Sequence, residues 1–437
     1  MKLSQFLKKN SAKEGSLVTF NIDGQITGGT IIPSRDETLM LKLKSGYNAG
    51  FDTSKIKKLK VLGTAKSVGK PKAITVPKKE GLPKISILHT GGTIASRVNY
   101  STGGVYASFN VEDLVTMFPE LFEIANIESV FVSNMMSEDI TIKDYQKIAK
   151  AVEGEIKKGV KGIIIGHGTD TLGYSAAALA FMLENCPIPV LLVGAQRSSD
   201  RGSSDAGMNL VCAAHFITKE NFKGVAVCMH NSTNDNNCAI LPATKTRKMH
   251  TSRRDAFKAI NDTPIALVDY NTKEIKWMKD KKNFTSEKGK FKLADKFEEK
   301  VGIVKMHPGI STKVIDFYRK EKYKGVIIES TGLGHTPIGK NDSFVKELKK
   351  LVDSGCVVGL TSQCINGRVH TSVYTNIRKV ASAGVIYCED MLTETAYIKL
   401  SWLLGNYSKK EAEQMLNKNL RGEIAEFSRV DTYKPEM

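Results

Sequence analysis

The chain has 437 residues, 41% hydrophobic and 25% charged, which is material for two or three globular units with cores of their own. Its formal net charge of +18 is uneven, since residues 1–84 hold 17 Lys/Arg against 6 Asp/Glu, a net +11; a basic solvated face or an RNA-containing partner would each account for it. No run of about 18 apolar residues occurs, and the first ten residues lack a secretory apolar core, so a membrane span is excluded and a soluble cytoplasmic protein is expected.

From Gly15 to about Leu62, short β-type runs (Ser16–Phe20, Gln25–Ile32, Thr38–Leu43, Ile56–Leu62) alternate with turn residues such as Asp23-Gly24, Pro33-Ser34 and Ser45-Gly46. That rhythm predicts a small N-terminal β-barrel. Gly63 to Pro83 is rich in Lys, Pro and Gly without either period, as a connector would be.

Beyond Lys84 the pattern changes to continuous apolar runs separated by helical stretches. Ile85–Leu88, Gly162–Ile165, Val190–Val193 and Gly224–Val227 read as buried strands, with helices at Ile142–Lys158 and Tyr174–Glu184 between them. Runs apolar on both faces belong in a parallel sheet covered by helices. A charge-dense hairpin and linker over 273–300 interrupts the alternation, which restarts at Val301–Val304, Gly325–Ile328 and Val357–Leu360. The chain thus divides into a basic barrel with linker (1–80), a first α/β lobe carrying the active site (81–285) and a second, smaller α/β lobe (298–437).

The seven cysteines form no CxxC pair, and the eight histidines show neither HxxxH spacing nor paired cysteines. Buried free thiols and no bound metal are expected.

Ligands of α/β sheets bind beyond the carboxyl ends of the strands. Three strings stand there. Thr90-Gly91-Gly92-Thr93 presents a hydroxyl after two glycines that let a substrate approach the backbone, although a glycine-rich turn alone is common. Gly166-His167-Gly168-Thr169-Asp170-Thr171 crowds hydroxyl, carboxylate and imidazole together; a helix cap would need only one of them. Lys245-Thr246-Arg247-Lys248 opens a basic loop running to Arg254, which by itself reads as surface.

A threonine hydroxyl is a weak nucleophile and needs a base and an oxyanion partner. A lysine kept neutral by burial and by neighbouring cations could serve, so Thr, Lys and Asp form a coherent relay.

These strings resemble the L-asparaginase/glutaminase family, whose TGGTIA and HGTDT motifs stand here as Thr90–Ala95 and His167–Thr171. The similarity runs from about Lys84 through Val193–Arg197 to Tyr387–Thr393. It implies an asparaginase-like two-lobe fold and two catalytic sets. One is Thr93 with a tyrosine of the following loop, Tyr100 or else Tyr106; the other is Thr169, Asp170 and Lys248, with Lys245 as the alternative lysine. Ser137 and Glu138 match the place where the family holds the substrate's α-carboxylate and α-ammonium. Which threonine attacks first is left open.

The basic N-terminal extension, with the Ser198–Asp205 loop and the His250-Thr251-Ser252-Arg253-Arg254 string, resembles the glutamine-hydrolysing subunits of archaeal glutamyl-tRNA(Gln) amidotransferases. That resemblance implies a homodimer through the asparaginase-like domain, within a heterotetramer of two such subunits and two E subunits. The E subunit would bind tRNA(Gln) and use ATP and Mg2+ to amidate the glutamyl-tRNA. No cofactor is expected in this chain, which lacks a GxxxxGK[ST] string. A stand-alone L-asparaginase is the alternative. A non-catalytic RNA scaffold fits less well, since the basic segment offers chiefly Phe20, Tyr47 and Phe51 for base stacking.

Overall fold

The computed structural model describes residues 2–34, 37–43, 48–64, 78–92, 117–198, 203–287 and 289–433, and the backbone of 96–98 and 105–107. The chain opens with a short helix, α1 (Leu3–Lys9), followed by β1 (Ser16–Ile22), β2 (Gln25–Ile31), β3 (Leu39–Leu43), β4 (Asn48–Phe51) and β5 (Lys57–Thr64). These strands form one antiparallel sheet of order β4-β3-β2-β1-β5, with β5 returning to pair with β1. Alternation along β1 turns Val18 and Phe20 inward, onto Phe6 of α1, Ile31, Leu39 and Leu41. Neither α1 nor β4 is visible in the sequence pattern. Asn48-Ala49-Gly50-Phe51 has no β-branched residue and is strand because it pairs with β3.

The main sheet begins with β6 (Lys84–Gly91), after which β7 (Ser96–Val98) and β8 (Val105–Ala107) pair only with each other. Then follow α2 (Leu121–Ile124), β9 (Asn126–Met135), α3 (Ile142–Lys157), β10 (Gly162–Gly166), α4 (Leu172–Met182), β11 (Leu183–Glu184), β12 (Pro189–Val193), α5 (Ala206–Lys219) and β13 (Gly224–His230). Next come β14 (Asn237–Pro242), β15 (Thr246–Lys248), β16 (Phe257–Ala259), β17 (Ala266–Asp269) and β18 (Ile275–Trp277). Eight of these strands make one sheet of order β18-β17-β14-β13-β12-β10-β6-β9.

From β9 to β13 the sheet is parallel; β14, β17 and β18 extend it antiparallel. The expected parallel sheet is therefore mixed, because the connections after β13, one of them carrying the β15–β16 hairpin, return the chain without a crossover helix. Both faces of the parallel part are covered. Ile163, Ile165, Val190 and Leu192 join one core, while Ile164, Leu191 and Val193 join the core on the other face. That is the two-residue period of a strand buried on both sides.

The interval between the lobes holds α6 (Lys282–Thr285) and β19 (Lys292–Leu293), which pairs with β11. The second lobe runs β20 (Val301–Lys305), α7 (Lys313–Lys320), β21 (Gly325–Ser330), α8 (Ser343–Asp353), β22 (Val357–Ser362), α9 (Thr375–Ser382), β23 (Ile386–Tyr387), α10 (Thr393–Asn406) and α11 (Lys409–Met415). Its four strands are all parallel, in sequence order.

The lobes share a core. Phe181 of α4 stacks on Trp402 of α10 with ring centroids 5.4 Å apart, and the Trp402 indole donates to the Ala294 carbonyl at 3.0 Å. Two buried ion pairs fix the same region: Lys245–Asp390 and Lys399–Glu423, each at 2.6 Å. All seven cysteines are free; six are buried and Cys364 is exposed. No helix among the described residues is long and apolar enough to cross a membrane.

Candidate active site

Glycines bring the ends of β6, β9 and β10 into contact. Gly91 and Gly92 have φ of +109° and +80°, a region that side chains disfavour. A Cβ on Gly92 would stand 2.4 Å from Gly168 Cα, and one on Gly91 would stand 2.3 Å from the Met135 carbonyl oxygen. A Cβ on Gly168 would in turn meet the Ser137 side chain at 2.8 Å. Glycine is thus required at all three places for the strand ends to meet. Thr90 Oγ1 reinforces the junction by donating to the Gly166 carbonyl at 2.9 Å.

On this platform the structure joins three of the residues singled out in the sequence. Lys248, at the end of β15, donates from Nζ to Thr169 Oγ1 at 2.9 Å and to Asp170 Oδ1 at 2.8 Å. Thr169 is buried, Asp170 is exposed, and the lysine side chain keeps 15% of its surface in solvent. The alternative lysine points elsewhere, since Lys245 is buried against Asp390. Lys248 reaches the site because β15 pairs with β16, Lys248 opposite Phe257, whose ring is anchored in the core.

Ser137 is buried on a 3-10 turn after β9, and its carbonyl accepts from Thr171 Oγ1 at 2.6 Å. Glu138, next to it, is exposed. Thr93 and Tyr100 lie outside the described residues, as does the side chain of Tyr106; Gly92, the residue before Thr93, is the one packed on Gly168.

His167 is fully buried beside these groups. Its Nδ1 donates to the Gly168 carbonyl at 2.6 Å, and burial pushes its pKa down to about 4, so the ring is neutral at physiological pH. A neutral ring with its proton on Nδ1 fixes the loop without adding charge to it. Among the described residues no three His, Cys, Asp or Glu side chains gather as a metal site would require.

Several residues that shape the site carry no motif of their own. Asp205 and Asn209 at the start of α5 and His230 at the end of β13 are wholly buried polar groups behind Thr169. Asp205 closes the Ser198–Asp205 string, but sequence does not show which backbone atoms it reaches.

The arrangement offers a buried hydroxyl bonded to a lysine and a carboxylate on that lysine, beside closely packed glycine backbones. Family models match in three parts: a GatD N-terminal domain over residues 12–62, Asparaginase, N-terminal over 84–282, and a Glutaminase/Asparaginase C-terminal domain over 300–416. The D subunit of the glutamyl-tRNA(Gln) amidotransferase of Pyrococcus abyssi is 47% identical, the match covering 99% of this chain and 100% of that one. The chain belongs to this D-subunit family.

The same-named protein of Methanococcus maripaludis is 45% identical over 94% of this chain and 98% of its own. Among solved structures, the thermostable L-asparaginase from Thermococcus kodakarensis superimposes with a TM-score of 0.70 and 29% identity, covering 78% of this chain and 99% of that one. L-asparaginase I from Vibrio cholerae gives 0.69 and 28%, with 79% and 100% covered. The asparaginase-like fold is thereby shared, and the D-subunit relatives match along nearly the full length, N-terminal module included.

Proposed function

We propose that this chain is the glutaminase of a glutamyl-tRNA(Gln) amidotransferase, hydrolysing the side-chain amide of glutamine and passing ammonia to a partner. The partner, the E subunit of that enzyme, uses ATP and Mg2+ to convert Glu-tRNA(Gln) to Gln-tRNA(Gln), holds most of the tRNA, and assembles as two copies with a homodimer of this chain. The setting is the cytoplasm of an archaeal cell. The observation that carries the reading is Lys248 bonded to both Thr169 and Asp170, in a chain that matches its D-subunit relatives throughout.

In this mechanism Thr93 Oγ attacks the carboxamide carbon of glutamine. The C–N bond breaks, the hydroxyl proton passes to the departing nitrogen, and ammonia leaves an ester on Thr93. Water then cleaves the ester, giving glutamate and restoring the hydroxyl. Thr169, Asp170 and Lys248 carry the protons, and backbone N–H groups around Gly92 and Gly168 face the oxyanion. Ser137 and Glu138 hold the α-carboxylate and α-ammonium, and Tyr100 completes the Thr93 set.

A stand-alone L-asparaginase is the second reading, favoured by the likeness to the solved asparaginases. One assay separates the two. Hydrolysis of Gln and Asn is measured for the chain alone, then with the E subunit and Glu-tRNA(Gln). Glutamine turnover that rises with partner and tRNA is expected; robust partner-independent asparagine turnover would sink the amidotransferase reading.

A further inference from the structure

Behind Thr169 lies a chain of buried polar side chains that the proton transfers do not use. Gly194, directly after β12, is so close to Thr169 that a Cβ there would stand 2.9 Å from Thr169 Cγ2 and 3.2 Å from the His167 carbonyl oxygen. Where the Gly194 turn sits therefore bears on where the threonine hydroxyl sits.

Two side chains hold that turn. The Asp205 carboxylate accepts from the backbone N–H of Gln196 at 3.0 Å and of Arg197 at 3.0 Å. Asn209 Nδ2 donates to the Gly194 carbonyl at 3.0 Å. This last bond orients the amide, because the opposite orientation would set two oxygens against each other. Asn209 Oδ1 is then the acceptor for His230 Nδ1 at 2.6 Å.

At its other end, His230 Nε2 stands 3.2 Å from Asp235 Oδ1; with Nδ1 donating to Asn209, this contact is a charge-assisted hydrogen bond when the ring carries both protons. The same carboxylate oxygen accepts from Arg254 Nη1 at 2.5 Å, and Arg254 Nη2 donates to the Thr233 carbonyl. Lys258 Nζ adds a bond to the Asn231 carbonyl at 3.0 Å. Arg254 lies in the connection of the β15–β16 hairpin that carries Lys248, and Lys258 lies in its second strand.

One network thus runs from the turn bracing Thr169, through Asn209, His230 and the 231–236 loop, to the hairpin bearing Lys248. It ties together from behind the two groups that meet at 2.9 Å in front. Apolar side chains would fill this core at least as favourably as a buried polar chain. What the polar chain supplies is direction. We infer that Asn209, His230 and Asp235 are positioning residues that hold Thr169 and the Lys248 hairpin in register, with Arg254 as the network's outer anchor. The inference rests on the amidohydrolase reading of Thr169 and Lys248.

The test begins at Asp235, whose side chain is 63% exposed, and at Arg254, which keeps 16%, so the melting temperature is read beside the kinetics. Asp235→Ala, Arg254→Ala and the double variant are prepared in the full chain with its partner, and kcat and KM for amide hydrolysis are measured alongside the melting temperature. Each single change is expected to lower kcat about tenfold with KM within about twofold and melting unchanged, as for a small misplacement of reacting groups. The double variant is no slower than the worse single one, because one link is broken once. Asp235→Asn, which keeps an oxygen between ring and guanidinium, restores most of the rate. His230→Asn, which keeps the donor to Asn209 but loses Asp235, behaves like Asp235→Ala.

Wild-type kcat in both single variants overturns the inference, as does a loss that follows the melting temperature or adds up in the double variant. If the unmodified chain and complex hydrolyse neither glutamine nor asparagine, the amidohydrolase reading falls, and the inference with it. Wild-type turnover with undisturbed variants removes the inference alone.

Discussion

Lys248 Nζ meets Thr169 Oγ1 at 2.9 Å across 79 positions of sequence, and the two sit on different kinds of element, a hairpin strand and the loop after a parallel strand. Both are held by their surroundings, β15 by its pairing with β16 and Thr169 by the close approach of Gly194.

Lys248→Ala is expected to slow amide hydrolysis severely while leaving stability almost untouched. Its carboxylate partner Asp170 is 65% exposed, and ion pairs of that kind contribute about 0–1 kcal/mol. Lys245→Ala should do the reverse, because Lys245 and Asp390 are 2% and 1% exposed and removing one partner strands a buried charge, at a cost of about 3–5 kcal/mol. Thermal melts and glutamine hydrolysis of both variants check the pair. Lys248→Ala should lower kcat by about two to three orders of magnitude, in the range seen for lost transition-state stabilisation, and ammonia-dependent amidation by the complex should survive.

Gly92→Ala and Gly168→Ala test the backbone platform. The Gly92 Cβ would lie 2.4 Å from Gly168 Cα at a φ of +80°, a collision of main chain with main chain at a strained dihedral. Loss of activity with about 1–3 kcal/mol of destabilisation is expected. At Gly168 the new methyl meets the Ser137 side chain at 2.8 Å, so Gly168→Ala combined with Ser137→Gly should regain stability without regaining substrate affinity. Denaturant midpoints and KM for glutamine read the two effects separately.

The α/β alternation was legible because Ile163-Ile164-Ile165 and Val190–Val193 are apolar on both faces, as strands of a sheet covered on both sides are, and helical stretches separate them. The HGTDT string pointed to Thr169 and Asp170 because its chemistry exceeds what a cap requires. Lys248 was preferred to Lys245 only through the family resemblance, since both lie in one basic string; in the fold Lys248 bonds Thr169 and Lys245 is buried against Asp390. Asn209 and His230 were invisible for a similar reason. They are 21 positions apart, and each looks like an ordinary residue of a helix or a strand until the sheet brings them to 2.6 Å.

Lys399 and Glu423 form a pair in which both side chains are 0% exposed. Glu423 also accepts from the backbone N–H groups of Leu420 and Arg421, so it organises the turn after α11. Burial pushes the Lys399 pKa down against the pull of Glu423, which marks the pair as costly to desolvate. Glu423→Ala should therefore lose about 3–5 kcal/mol, while Lys399→Met with Glu423→Leu loses much less, because no buried charge is left alone. A double-mutant cycle by thermal unfolding gives the coupling.

Acid sensitivity should trace in part to His167. Its folded pKa is about 4 against an ordinary 6.5, with burial as the first cause, and His89 is pushed down by burial to about 4 as well. A depressed folded pKa means that the unfolded chain takes up the proton first as pH falls. The contribution to stability is whole above about pH 6.5, drains away between 6.5 and 4, and levels off below. At about 1.4 kcal/mol per pH unit, each histidine accounts for roughly 3 kcal/mol across that window. His167→Gln keeps a side-chain donor for the Gly168 carbonyl but cannot titrate. Its unfolding free energy should fall less steeply between pH 6.5 and 4 than that of the wild type, by about one proton's worth of slope. Equal slopes in urea titrations across that range would show that His167 is not the titrating group.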